Sequence, residues 1–555
     1  MPLMEGRRAL AETLIAEGVE YVFGNPGTSE LSFMDILEEY PQLRYLLVLQ
    51  EGVAMGMGDA YAQATGKPAF INLHIESGLA NGLSLLYNSF YQGTPLVLTS
   101  MNADVRKVTS GRTDLVQLTR QFTKWSAEVT HAETIPGAVR RAFQEARTPP
   151  TGPVYLSFST ETLDAVADVQ ILPPGQAYVE VEPDRQAIAG AAALLSRAER
   201  PVVLVGGRVA QSRAQSAVVA VAELLGAPVY DAASYGGLNF PTGHDLYLGR
   251  LDGVHPTGKQ ILAEHDVVLA VGASLFHGFL HYSMPVLPEG LRLVQIDSDP
   301  REIGKETPAD VGIVANPRVA LERLADALAG TITSEARVAS DGRRRERAAK
   351  KRAQRAAFQR RLAEVGDRRP MTVERLMAEL AQALPPDAIV ADDAVTSHRA
   401  LLDAVVFDEP GSIYFNRAGA LGWGMGAALG LKLSNPDRPV VAVVGDGSSM
   451  FTMHAMWTAI QYGIPVTWII CNNSAYRVLK VNLHKHLREF RIEPEKQSRY
   501  LGMEFPHRLD LAGHAQAFGV NAHRIEDPAE IGPALRAAFA SNQPTLLDVI
   551  IDGSL

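Results

Sequence analysis

The stretch VVAVVGDGSSMFTMHAMWTAIQYGIPVTWIICNNSAY, residues 440–476, restricts the fold more than any other part of the chain. Its first apolar run, 440–444, is unbroken and of strand length, as expected of a strand covered on both faces. That run leads straight into Gly445-Asp446-Gly447, a helix-like segment follows at 450–461, and a second apolar run at 466–470 leads to Asn472-Asn473. One helix between two buried strands calls for a right-handed crossover and parallel pairing, so both carboxyl ends open at the same sheet edge. Asp446 and Asn473 are therefore expected to meet in space.

Strand-like and helix-like stretches alternate along the rest of the chain, the pattern of α/β domains on parallel sheets. Strands are predicted at 21–23, 45–49, 69–73, 96–99 and 154–158, with a helix at 52–63. A polar, proline-rich stretch at 172–183 (LPPGQAYVEVEP) reads as a linker. Further strands are predicted at 201–205, 229–230, 267–271 and 293–296, then at 388–391, 440–444, 466–470 and 545–550. Between these groups lies GRRRERAAKKRAQRAAFQRRLAEV, read as an exposed basic helix. The chain has 555 residues, too many for a single core. The expected architecture is three doubly wound parallel-sheet α/β domains, at 1–182, 183–333 and 370–555, with a basic helical linker at 334–369.

A formal charge of −10 argues against a nucleic-acid partner, whose footprint is basic. The basic helix carries no interleaved stacking aromatics and reads as a solvated face. No apolar run approaches the roughly 18 residues of a membrane span, and the start, MPLMEGRRALAETL, is charged where a signal peptide is apolar. Cys471 is the single cysteine, so no intrachain disulfide forms and a reducing compartment fits. A cytoplasmic enzyme without membrane or nucleic-acid partners is expected.

Chemically, Asp446 and Asn473 make a hard-cation site. Mg²⁺ takes oxygen ligands and is commonly held by one or two protein groups together with phosphates. Asp446 offers a carboxylate, Asn473 an amide oxygen, and a backbone carbonyl near Ala475 a third ligand. Gly445 and Gly447 let backbone approach a phosphate, and Ser448, at a helix start, adds N–H donors.

A GDG triplet followed at this spacing by NN resembles the diphosphate motif of the thiamine diphosphate-dependent enzymes. The resemblance covers the whole chain and looks most like the benzoylformate decarboxylases. It implies thiamine diphosphate with Mg²⁺, or Ca²⁺ in its place, and no FAD. It also implies a glutamate against the aminopyrimidine; in LLVLQEGVAMGMGDAYAQATG that residue is Glu51. VEYVFGNPGTSEL places Asn25, Pro26 and Gly27 along the cofactor, and Thr28 where the family has a serine that holds the substrate carboxylate. In AFINLHIESG, His74 falls at the catalytic histidine, a residue type whose ordinary pKa lies near neutrality. The paired histidines and acidic residue of the pyruvate decarboxylases are not matched.

The second catalytic histidine of this branch falls in VGASLFHGFLHYSMP, where a gapless reading gives Phe279 and a small shift gives His277 or His281; His281 is preferred. Leu421, in RAGALGWGMG, resembles the apolar wedge that bends the cofactor, and Tyr476 is expected at the cofactor. By the same resemblance Val395, Val478, Leu479 and Asn482 join Thr28 and His74 around the substrate.

The implied activity is non-oxidative decarboxylation of a 2-keto acid to an aldehyde and carbon dioxide, with carboligation as a side reaction. An acetolactate synthase-type carboligase or a related 2-hydroxyacyl lyase shares every motif. A silent α/β binding module would be signalled by loss of Glu51 or His74, and both are present. Family members build the site between the first domain of one subunit and the third of another. A homo-oligomer is thus expected, dimeric at least and in full a homotetramer.

Overall fold

A computed structural model describes residues 3–107, 109, 111–175, 179–232, 236–251, 255–275, 287–416, 418–489 and 500–555. The chain divides into two compact units, one of Met1–Gln176, Val365–Ala404 and Ala418–Leu555, the other of Ala177–Glu364 and Val405–Arg417.

The first unit holds a two-stranded antiparallel sheet, Leu3–Glu5 with Val166–Asp168, one six-stranded sheet and five strands of another. The six-stranded sheet is ordered Arg44–Leu47, Tyr21–Asn25, Ala69–Leu73, Leu96–Asn102, Val154–Ser159, Ser126–Val129, with parallel pairings throughout. Asn25 pairs with Leu73 and Gly24 with Leu47, so the segments that follow these three strands leave one edge together. The five strands of the other are ordered Ile389–Asp393, Val440–Gly445, Thr467–Asn472, Thr545–Ile550, Asn521–Ile525, and are parallel throughout. Asp393 pairs with Val444, and Gly445 with Cys471, which brings Asp446 and Asn473 to a common edge as expected. Residues 440–444 are all buried, each of the four valines contributing roughly 1.5–3 kcal/mol to folding.

In the second unit the sheet runs Tyr247–Leu251, Val229–Ala232, Pro201–Val205, Val267–Val271, Arg292–Asp297, Val311–Val314, again parallel. The expected three parallel α/β sheets are thus present. The basic segment is a single helix, Ser334–Val365, in which only Ser340 and Phe358 are buried. Arg343 donates to the Leu225 carbonyl, and Lys351 to those of Thr242 and Tyr247. Among the described residues no helix is long and apolar enough to cross a membrane.

Seven strands that sequence reading did not find, Leu3–Glu5, Ser126–Val129, Val166–Asp168, Tyr247–Leu251, Val311–Val314, Ile413–Phe415 and Asn521–Ile525, all lie at sheet edges. An edge strand is covered less completely and needs no continuous apolar run, and all seven are only partly buried. The single helix predicted at 450–461 is instead a short turn of helix at Asp446–Ser449, then the helix Ala455–Tyr462. The side chains of Ser449 and Thr452 bond to the carbonyls of Asp446 and Gly422, which competes with helix continuation between them.

Candidate active site

At the first sheet's edge, Tyr21–Asn25 runs into Pro26-Gly27, and Glu51 opens the helix Glu51–Thr65. A carboxylate in the first turn complements the helix dipole, and Gly66, at φ +72°, ends the helix in the left-handed conformation that suits glycine. Glu51 is 6% exposed. Its Oε1 accepts from Asn25 Nδ2 at 3.0 Å and its Oε2 from Asn81 Nδ2 at 3.0 Å. Gly78 leaves room for it, since a Cβ there would lie 3.0 Å from Glu51 Oε1.

His74 follows the strand Ala69–Leu73, and its backbone N–H donates to the Asn25 carbonyl. Its ring lies against Gly27, where a Cβ would come within 2.2 Å of Nδ1. Gly27 is needed for this close approach rather than for an unusual φ. The hydroxyl beside the ring belongs to Ser29, whose Oγ is 3.0 Å from His74 Nδ1; Thr28, the expected hydroxyl, is exposed.

On the third sheet, Asp446 is 3% exposed. Its Oδ1 accepts from Gly447 N at 2.7 Å and its Oδ2 from Ser474 N at 2.7 Å. Asn473 Oδ1 accepts from Ala475 N at 3.0 Å, and Ser474 turns the chain with φ +54°. Burial pushes the Asp446 carboxyl up to about 6, against the pull of backbone N–H groups from Gly447, Ser474, Asn473 and Ala475. Among the described residues no cationic side chain pairs with it. A buried carboxylate with only dipoles around it is the environment that a bound cation would complete. Beside it a Cβ on Gly445 would meet open space, whereas one on Gly447 would strike the Tyr476 ring at 2.5 Å.

Leu421 precedes Gly422, which has φ +96°. The turn is fixed by Asp393, whose Oδ2 accepts from Ser448 Oγ at 2.6 Å, Gly424 N at 3.0 Å and Gly422 N at 3.2 Å. Asn88 adds a paired bond to the Ala420 backbone, accepting from its N–H at 3.1 Å and donating to its carbonyl at 2.9 Å. The helix Trp423–Ser434 that follows packs on Glu51–Thr65 through glycines. A Cβ on Gly430 would lie 2.1 Å from the Met57 carbonyl oxygen, and one on Gly426 2.8 Å from that of Val53. Trp423 Nε1 donates to Asp59 Oδ2 at 2.7 Å, a carboxyl that burial pushes above its ordinary value.

Of the expected substrate residues, Val395 is 53% and Leu479 43% exposed, Val478 is half-buried and Asn482 exposed. His277, Phe279 and His281 lie outside the described residues.

Three family models cover most of the chain: "Thiamine pyrophosphate enzyme, N-terminal TPP binding domain" at 4–125, its central domain at 188–324, and its C-terminal TPP binding domain at 394–549. A benzoylformate decarboxylase of Pseudomonas aeruginosa is 34% identical over 97% of each chain. The chain belongs to the thiamine pyrophosphate enzyme family. An acetolactate synthase large subunit of Haemophilus influenzae is also similar, 28% identical over all of this chain and 96% of that one. Among solved structures, a thiamine diphosphate-dependent 4-hydroxybenzoylformate decarboxylase of Rhodococcus jostii superposes with a TM-score of 0.85, at 28% identity over 99% of both chains. The protein is thus a thiamine diphosphate-dependent enzyme of decarboxylase type.

Sequence reading missed Ser29, Asn81, Asn88 and Asp393 around this thiamine pyrophosphate enzyme site. Asp393 could have been found, because it ends an apolar run at the productive sheet edge. The asparagines lie within the helix Glu76–Gln92, where nothing in the local pattern separates a polar site residue from a solvated one.

Proposed function

We propose that the protein decarboxylates a benzoylformate-type 2-keto acid to an aldehyde and carbon dioxide, using thiamine diphosphate and Mg²⁺. The observation that carries this reading is the joint presence of the buried Glu51, held by Asn25 and Asn81, and of His74 in the adjoining turn. Both lie in a chain 34% identical along its length to a benzoylformate decarboxylase.

When bound, the cofactor supplies an electron sink for the pair released with carbon dioxide. Asp446, the Asn473 side-chain oxygen and the Ala475 carbonyl would hold Mg²⁺ and through it the diphosphate, with Gly445, Gly447 and Ser448 beside them. Glu51, little exposed and oriented at both oxygens, would hold a proton against the aminopyrimidine ring. Asn25, Pro26 and Gly27 would flank that ring, and Leu421, set by the Asp393 bonds, would be the wedge beneath it. His74 would deliver a proton to the carbon that has lost carbon dioxide. Val395, Val478, Leu479 and Asn482 would surround the substrate side chain, with His281 as a second proton carrier.

The test is a panel of aryl and aliphatic 2-keto acids, with products separated into aldehydes and hydroxyketones. Aldehyde as the main product from an aryl 2-keto acid supports this reading. Predominant hydroxyketone from pyruvate would replace it with the carboligase reading that the 28% relationship to an acetolactate synthase suggests.

A further inference from the structure

Glu30 is 0% exposed, yet it carries a carboxylate. Burial of such a group is tolerated only when its oxygens are filled by donors. Four are in place. Oε2 lies 2.9 Å from Gly27 N and 2.8 Å from His74 Nδ1, and Oε1 lies 3.3 Å from Met101 N. Ser29 Oγ is 2.9 Å from both oxygens. A carboxylate accepts and cannot donate, so the His74 nitrogen facing it must carry the proton. His74 Nε2 is left over, and among the described residues it has no hydrogen-bond partner. The ring is also pressed against Gly27, where even a methyl group would displace it.

From this geometry we propose that Glu30 is a positioning residue that acts through His74, a deepening that rests on the decarboxylase reading above. Glu30 fixes the neutral ring as its Nδ1–H tautomer, with Nε2 bare and able to accept a proton. Once the ring is protonated, the same carboxylate stabilises the imidazolium, which then donates from Nε2. A carboxylate on the far nitrogen of a histidine has this double effect wherever the ring must move protons in one direction. Ser29 belongs to the same device, because its hydroxyl donates to Glu30 beside the ring. One buried side chain thereby links the Gly27 turn, the strand Leu96–Asn102 and the proton carrier.

The experiment has a spectroscopic arm and a kinetic arm. ¹⁵N NMR of histidine-labelled protein, with His74 assigned by loss of its signals in His74→Ala, reads the tautomer without any substrate. The expected result is a protonated Nδ1 and a bare Nε2; a bare Nδ1 would overturn the proposal. In the kinetic arm, Glu30→Gln should lower kcat about tenfold or more with KM within about threefold. In the His74→Ala background, Glu30→Gln should lower it little further, since the two residues act as one. Full additivity, or unchanged kcat in Glu30→Gln, would mean that Glu30 only braces the turn, and would overturn the proposal. If Glu30→Gln does not fold, Ser29→Ala, which leaves the carboxylate in place, should give a smaller loss in kcat that again vanishes without His74; a loss that persists there would overturn the proposal. A protonated Nδ1 in a fully loaded protein that consumes no 2-keto acid would leave the pairing standing and remove the decarboxylase reading instead.

Discussion

Glu51 and Asp446 are both buried carboxyls, but their neighbours differ, and the proposed function gives them different tasks. Glu51 has a side-chain amide on each oxygen, which fixes its orientation for the proton exchange proposed above. Glu51→Gln should therefore lower turnover by about 10²-fold or more with the melting temperature nearly unchanged, as kinetics and calorimetry on the same preparation would show. Asp446 is surrounded by backbone dipoles and is pushed up to about 6 by burial. Between its unfolded value, about 3.9, and about 6, the folded metal-free chain binds more protons than the unfolded one. Its stability should thus fall by roughly 3 kcal/mol as pH rises through that window. Bound Mg²⁺ requires the ionised form, so cofactor retention should fall as pH drops through about 6. Melting curves of stripped and loaded protein across this range test both signs, and Asp446→Asn should flatten the stripped profile. What was legible is position where a motif marked it: Asp446 and Asn473 leave a common sheet edge, and Glu51 and His74 follow strands of one sheet. Their partners Ser29, Glu30, Asn81 and Asp393 were not, because which side chains reach a carboxylate depends on the packed turn and not on spacing along the chain.

Two glycine-rich helices, Glu51–Thr65 and Trp423–Ser434, start at the two halves of the site and pack closely enough for backbone to meet backbone. Gly430→Ala would place a methyl group 2.1 Å from the Met57 carbonyl oxygen, and should cost about 1–3 kcal/mol, as overpacking does. The same change at Gly342, in the helix Ser334–Val365 and facing open space, should instead stabilise by up to about 1 kcal/mol through helix propensity. Denaturant unfolding of the two variants would display the opposite signs. At this scale the sequence was most informative about central strands, whose all-apolar runs at 201–205, 267–271 and 440–444 stand out because both faces are covered. It was least informative at sheet edges such as Asn521–Ile525, buried at only two of five positions.

For the whole molecule, the strands that lead to Glu51 and to Asp446 belong to one compact unit, yet among the described residues no hydrogen bond joins the Glu51 cluster to the Asp446 cluster. The family resemblance implies that each cluster is completed by another subunit. If so, chains carrying Glu51→Gln and chains carrying Asp446→Ala, each inactive alone, should regain about a quarter of normal activity when coexpressed, since half of a symmetric dimer population is mixed and holds one intact site in two. No recovery would place both clusters in a single chain's site.

The most direct test of the account is the rate of aldehyde formation from benzoylformate by protein stripped of cofactor, as thiamine diphosphate and Mg²⁺ are restored. The prediction is no turnover before addition, recovery only when both are present, and failure to recover in Asp446→Ala at low Mg²⁺. Turnover by the stripped protein, or equal recovery in Asp446→Ala, would contradict it.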